Sequence, residues 1–157
     1  MQNNLYLTSN FTLSEMLYSD TAIKLGIKNI ATDDIVAKLK TLCENVLQPV
    51  RNYFNKPVII NSGYRNPILN EAVKGSKTSQ HAKGEAADIE IKGLSNYDLA
   101  CWIRDNLNFD QLILEYADNL KNDPNSGWVH VSYVSPQANR KQCLTINKKG
   151  TFNGFNI

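Results

Sequence analysis

The stretch Ser79-Gln-His-Ala-Lys-Gly-Glu-Ala-Ala-Asp-Ile-Glu-Ile-Lys92 passes from small polar residues into a run of alternating polarity. Over 86–92 the alternation predicts a strand with Asp88 and Glu90 on one face and Ala87, Ile89 and Ile91 on the other. The residues ahead of it, 74–83, predict a loop that delivers Ser79 and His81 to the start of that strand. A second alternating run, Trp128-Val-His-Val-Ser132, puts Trp128, His130 and Ser132 on one face and turns Val129 and Val131 toward the core. In Gln111-Leu-Ile-Leu-Glu115 the same parity gives Ile113 and Glu115 a common face. If these strands pair, imidazoles and carboxylates converge on one side of a sheet.

Outward from this centre, Pro57-Val-Ile-Ile-Asn61 predicts a buried strand closed by a turn at Ser62-Gly63, and 143–147 a last strand before a loosely held tail. Thr12-Leu-Ser-Glu15 is a capping box that opens a short helix. Ile35, Leu39, Leu42, Val46 and Val50 recur at spacings of three and four and predict a helix over 33–54, with Pro49 forcing a kink or break near Leu47. Asn66-Pro67 starts a short helix to 73, and Ser95 caps another that runs to 107. A helical first third before a strand-rich remainder is an α+β pattern: a small antiparallel sheet with a polar site on one face and helices on the other. No repeat or low-complexity linker divides the chain, so one domain over 1–157 is expected, with its motif core at about 57–134.

Composition narrows the classes. The chain has 157 residues, a formal net charge of +2, 42% hydrophobic and 20% charged residues, which suits a globular domain that needs no staple to fold. Its Lys and Arg are dispersed, which argues against a nucleic-acid partner or a polybasic membrane patch. No segment approaches the roughly 18 apolar residues of a membrane span, and Met1-Gln-Asn-Asn-Leu-Tyr lacks the pattern of a signal peptide. Cys43, Cys101 and Cys143 each sit in an apolar pattern and are expected to be reduced core thiols.

His81 and His130 are the chain's two histidines. Two neutral imidazoles with one carboxylate make a ligand set that suits Zn²⁺ and leaves a fourth position for water, the make-up of a catalytic site. A nearby carboxylate can take the proton of that water as it attacks a carbonyl. Spacing alone leaves the plainer alternative open, with His81 a loop residue and His130 a hydrogen-bonded sheet residue.

Ser79-Gln-His-Ala-Lys-Gly-Glu-Ala-Ala-Asp88 matches S-x-H-x-x-G-x-A-x-D and resembles the signature of zinc D-alanyl-D-alanine carboxypeptidases and their phage endolysin relatives. Trp128-Val-His130 resembles that family's second zinc-ligand motif, and Ser62-Gly-Tyr-Arg65 with Leu69-Asn70 its upstream element. The similarity runs from Phe11-Thr-Leu-Ser-Glu15 to about Tyr133. The resemblance implies a Hedgehog-like peptidase fold, one catalytic zinc ion held by His81, Asp88 and His130, and an Arg65 that holds a substrate carboxylate or the tetrahedral oxyanion. Ser79 would orient a ligand or touch substrate, Trp128 and Tyr64 would line the substrate cleft, Gly84 would permit the turn between ligands, and Gly63 the turn ahead of Arg65.

Many members of the family place a carboxylate three residues before the second His, where this chain has Gly127. Glu115 is the expected replacement as general base, and Asp110-Gln-Leu-Ile-Leu-Glu115 is similar to an element of one subgroup of the family; Asp118 and Asp123 are lesser candidates. The function so implied is hydrolysis of an amide bond in peptidoglycan peptides by a phage or prophage lytic enzyme. The expected protein is a monomer, made in the host cytoplasm without its own signal peptide, and it reaches the wall after release or as part of a virion. A non-catalytic, zinc-containing wall-binding or virion module is the alternative, favoured by Gly127.

Overall fold

The computed structural model describes residues 5–155, so the first four residues of the segment read for a targeting signal lie outside the described residues. Chain order begins with a small antiparallel pair, β1 (Tyr6–Thr8) and β2 (Phe11–Thr12), which runs into α1 (Leu13–Leu17). The Thr12 hydroxyl accepts from the Glu15 backbone and the Glu15 carboxylate accepts from the Thr12 backbone, so the capping box forms as its sequence predicts. α2 (Asp20–Leu25) follows, then α3 (Asp33–Leu42), a π-helical turn (Cys43–Leu47) and α4 (Gln48–Phe54). Pro49 cannot donate to the carbonyl four residues back, and the wider π turn just ahead of it absorbs the mismatch without breaking the helical path.

The remaining elements build a six-stranded sheet in the order β3-β4-β6-β5-β7-β8. β3 is Ile59–Ser62, β4 Ala86–Glu90, β5 Gln111–Glu115, β6 Trp128–Ser132, β7 Gln142–Asn147 and β8 Gly150–Asn153. α5 (Pro67–Ala72) and α6 (Asn96–Asn106) fill the connections. The architecture is mixed α+β. Several expectations are corrected. The sheet is not purely antiparallel, because β7 returns alongside β5 in parallel register, Gln111 opposite Gln142 through Glu115 opposite Ile146. Residues 150–153 are not a loose tail, since Asn147 and Gly150 close a hairpin that adds β8 to β7, and the last two residues of the expected tail lie outside the described residues. β3 is an edge strand of alternating exposed and half-buried residues rather than a buried one. Ser95 begins α6, but its side chain makes no capping hydrogen bond.

The parity of the strands holds. Ala87, Ile89 and Ile91 of one strand and Val129 and Val131 of the next lie in a hydrophobic cluster with Leu39, Leu42, Val46 and Val50 from the long helical segment and Leu99 and Ile103 from α6. The opposite face of β4, β5 and β6 is left polar. Of the three unpaired thiols only Cys43 is buried, and burial pushes it up to about 12; Cys101 and Cys143 are half-buried, Cys143 packing against the cluster from outside.

Asp110 anchors the start of β5. Its carboxylate accepts from the Arg140 backbone N–H at 3.0 Å, from Arg140 Nε at 3.0 Å and Nη2 at 2.8 Å, and from Gln80 Nε2 at 2.9 Å. Sequence periodicity gives no signal for this clamp, because it joins three segments remote in the chain. The Arg140 side chain hydrogen bonds, with the backbone and Gln80 adding to them, hold the Asp110 carboxyl below the usual carboxylate range. A depressed native pKa contributes stability that is present above the unfolded value of about 3.9 and is lost as pH falls through the lower native value. Asp110→Asn is therefore expected to cost about 2 kcal/mol at pH 7, measured by urea denaturation. Below about pH 4 the wild type's advantage should shrink steadily, and an advantage independent of pH between 7 and 2 would refute the charged clamp.

Candidate metal centre

His81, Asp88 and His130 come from three separate elements to one point. His81 rides on a 3-10 turn (Gln80–Lys83), whose N-terminus is capped by the Ser79 hydroxyl accepting from the His81 backbone N–H at 3.3 Å. Gly84 ends that turn at φ +73, the left-handed conformation that glycine adopts without strain, and the chain passes directly into β4. Asp88 and His130 are register partners on β4 and β6, so the sheet itself fixes their approach. One nitrogen from each imidazole and one carboxylate oxygen all lie within 4.8 Å of one another. Asp88 Oδ1 is 3.2 Å from His81 Nε2 and 3.1 Å from His130 Nδ1.

The orientation of His81 is set from behind. Its Nδ1 meets the Gly63 carbonyl at 2.7 Å. A carbonyl only accepts, so this bond assigns the proton to Nδ1 and turns the Nε2 lone pair toward Asp88. A lone pair facing a carboxylate oxygen is repulsive unless a proton or a metal cation lies between them. Zinc bonds of about 2.0–2.2 Å at tetrahedral angles would hold ligand atoms about 3.3–3.6 Å apart, close to the 3.1 and 3.2 Å measured about Asp88. The donor set and its spacing thus fit a divalent zinc ion. Burial alone would push the Asp88 carboxyl up, but positive charge and N–H donation from protonated His81 and His130 more than offset this and hold it well below the ordinary carboxylate range.

The three side chains lie in a polar cleft of about 830 Å³ that also exposes Arg65, Ser79, Glu115 and Trp128. The Arg65 backbone N–H donates to the His81 carbonyl at 3.1 Å, and its guanidinium Nη2 donates to the Ser79 hydroxyl at 3.4 Å, while its Nε is buried without a partner. Burial pulls the Arg65 guanidinium down, against the pull of the Asp88 and Glu115 charges. Glu115 ends β5, where burial raises its pKa, the Asp88 charge raises it further, and His130 and Arg65 act the other way.

Family-model comparison matches residues 9–132 to the family described as Peptidase M15. The chain belongs to the peptidase M15 family. This is the family of zinc D-alanyl-D-alanine carboxypeptidases. No curated protein matches the chain. The M15 match ends at the last residue of β6, so Arg140, β7 and β8 lie beyond it.

Two residues stand elsewhere than the M15 resemblance implies. Tyr64 is buried in the hydrophobic cluster and is not part of the cleft lining, so it does not face substrate. Gly63 does not adopt a left-handed turn. Its role is close approach: a Cβ there would lie 2.4 Å from the Met16 carbonyl oxygen of α1. Asp118 and Asp123 are also outside the cleft lining, and Asp123 instead accepts from the Asn125 backbone at 2.9 Å. Asn29 was not singled out by sequence. Its amide donates to the Leu17 carbonyl at 2.9 Å and the Tyr64 carbonyl at 2.8 Å, and its oxygen accepts from the Asn66 backbone at 2.9 Å, bracing the segment that carries Arg65.

Gly63→Ala should therefore cost about 1–3 kcal/mol from overpacking, and, by displacing the carbonyl that orients His81, weaken zinc binding by about 10- to 100-fold. Urea denaturation together with competitive zinc titration checks both, and a variant that loses stability but binds zinc as tightly as wild type would refute the orienting role.

Proposed function

We propose that the protein is a zinc-dependent peptidase that hydrolyses an amide bond in the peptides of bacterial peptidoglycan, as a D-Ala-D-Ala carboxypeptidase or endopeptidase. The observation that carries this reading is the convergence of His81, Asp88 and His130 in a cleft that also presents a part-buried cation, Arg65, and a carboxylate, Glu115. One zinc ion held by those three residues would supply Lewis acidity to a carbonyl and to water.

The other steps belong to the chain's own groups. Glu115 takes a proton from the attacking water as its oxygen bonds to the scissile carbon, then delivers it to the amine as the C–N bond breaks. A pKa raised by burial and by the Asp88 charge brings Glu115 closer to the working range of a base that must also act as an acid. Arg65, part-buried and with an unpaired Nε, offers donors to a substrate carboxylate or to the oxyanion. The lining is too polar for an apolar ligand and suits a peptide bearing carboxylates. We place the protein among phage or prophage wall-lytic enzymes acting as monomers, with neither nucleic acid nor membrane as partner; among the described residues no helix is long and apolar enough to cross a membrane.

Gly127 favours a second reading, a zinc-containing module without turnover, because the carboxylate that many relatives place there is missing. Geometry explains the glycine. A Cβ at 127 would fall 2.0 Å from the Glu115 carbonyl oxygen and 2.5 Å from the Tyr116 carbonyl carbon, at a φ of +71. The end of β5 occupies the space that a side chain at 127 would need, and the same approach brings Glu115 into the cleft.

Release of amines from purified peptidoglycan is the test. Wild type should bind one zinc and cut. His81→Ala should lose zinc and activity, while Glu115→Ala should keep zinc and lose activity by about 10²- to 10⁴-fold. Gly127→Glu in the Glu115→Ala background should not restore it. Zinc binding without cutting on any wall chemistry would select the non-catalytic module, and full activity in Glu115→Ala would remove Glu115 as base.

A further inference from the structure

Glu115 and Trp128 are register partners across β5 and β6, and both line the cleft. The indole Nε1 of Trp128 is buried and meets no acceptor in ordinary hydrogen-bond geometry. A buried donor left unpaired is destabilising, so a nearby acceptor is strongly favoured. The register partner of Trp128, Glu115, supplies a carboxylate to the same cleft lining.

The indole is itself held. Tyr116, the residue after Glu115, sits at φ +52, a conformation that a bulky side chain avoids unless the surroundings impose it. Its backbone N–H is tied to the Ile146 carbonyl at 2.8 Å, and its ring lies 5.4 Å from that of Trp128 at an interplanar angle of 36°. Gly127 is what allows this turn, because a Cβ there would come within 2.5 Å of the Tyr116 carbonyl carbon and 2.7 Å of the Ala117 nitrogen. Gly127, Tyr116, Trp128 and Glu115 therefore form one interlocked unit at the end of the β5–β6 pair.

We propose that Trp128 is a positioning residue for Glu115, its indole N–H hydrogen-bonding the carboxylate to aim it into the cleft while the adjacent Tyr116 ring packs against the indole. The catalytic consequence rests on the peptidase reading above; the hydrogen bond does not.

Two measurements test it. The chain has two tryptophans, so ¹H–¹⁵N spectra of the purified protein show two indole signals, which Trp102→Phe assigns. In Glu115→Gln the Trp128 indole proton should move upfield while that of Trp102 stays in place. Trp128→Phe keeps a ring for Tyr116 to pack against but removes the donor. It should lower kcat about 10- to 100-fold, the scale of a hydrogen bond to a charged group, leave KM within about twofold, and cost nothing further in the Glu115→Gln background. A Trp128 signal indifferent to Glu115, an equal loss in both backgrounds, or a rise in KM alone would each overturn the proposal, the last marking a direct substrate contact. If no variant and no wild type cuts peptidoglycan, the peptidase reading fails while the indole signal still decides the hydrogen bond.

Discussion

The bond from His81 Nδ1 to the Gly63 carbonyl is the constraint on which the site depends. It fixes a tautomer, and so decides which nitrogen of His81 faces Asp88 and His130. The carbonyl can stand there only because its own residue has no side chain. Gly63 lies against the Met16 carbonyl of α1, and the next residue, Tyr64, donates its backbone N–H to that same oxygen at 2.8 Å. The N-terminal helices are thus more than a cover for the sheet. They form the wall against which the strand carrying Gly63 is pressed, and the imidazole takes its angle from that wall.

The same short segment sets the cation. Once Gly63 and Tyr64 are pinned to α1, Arg65 follows at the mouth of the cleft, with its backbone tied to the His81 carbonyl and its guanidinium to Ser79. Ser79 in turn caps the turn that bears His81. One loop of contacts therefore orients a metal-ligand candidate and an anion-binding group together. This explains why the S-G-Y-R and S-x-H elements, separated in sequence, are coupled parts of one pattern: neither segment has a defined conformation without the other.

That coupling also marks what could be read from sequence. Side-chain parity in β4, β5 and β6 is legible, because a period of two fixes which residues share a face, and it brings Asp88, His130 and Glu115 together once the strands pair. The capping box at Thr12 and the irregularity ahead of Pro49 were legible for local reasons. The parallel return of β7 was not, since strand direction is decided by the path of the connection and leaves no trace in the strand's own residues. β8 escaped notice because all four of its residues are exposed and it carries no alternation. Asn29 and Asp110 were missed for a third reason. Each works by hydrogen bonds to segments more than ten residues away, and a lone polar residue gives no periodic signal of such a partner.

Gly127 shows how a departure from a family pattern can carry structural information. Taken as a missing carboxylate, it weakens the case for catalysis. Taken with its neighbours, it is the consequence of a chain that crosses too close for any side chain, and the crossing chain is the one that ends in Glu115. A side chain at 127 would collide with the backbone of residues 115–117, so with the chain on this path the cleft carboxylate comes from β5 and not from position 127. A base on β5 has a different support from a base three residues ahead of the metal-ligand histidine. It sits at the end of a strand paired on both sides, by β6 and by β7, and its orientation is inherited from the sheet rather than from a loop. Rigid placement of this kind favours proton transfer, which falls off steeply when donor and acceptor drift beyond hydrogen-bond reach. The parallel strand β7, which lies beyond the region shared with the family, thus braces the strand that carries the proposed base.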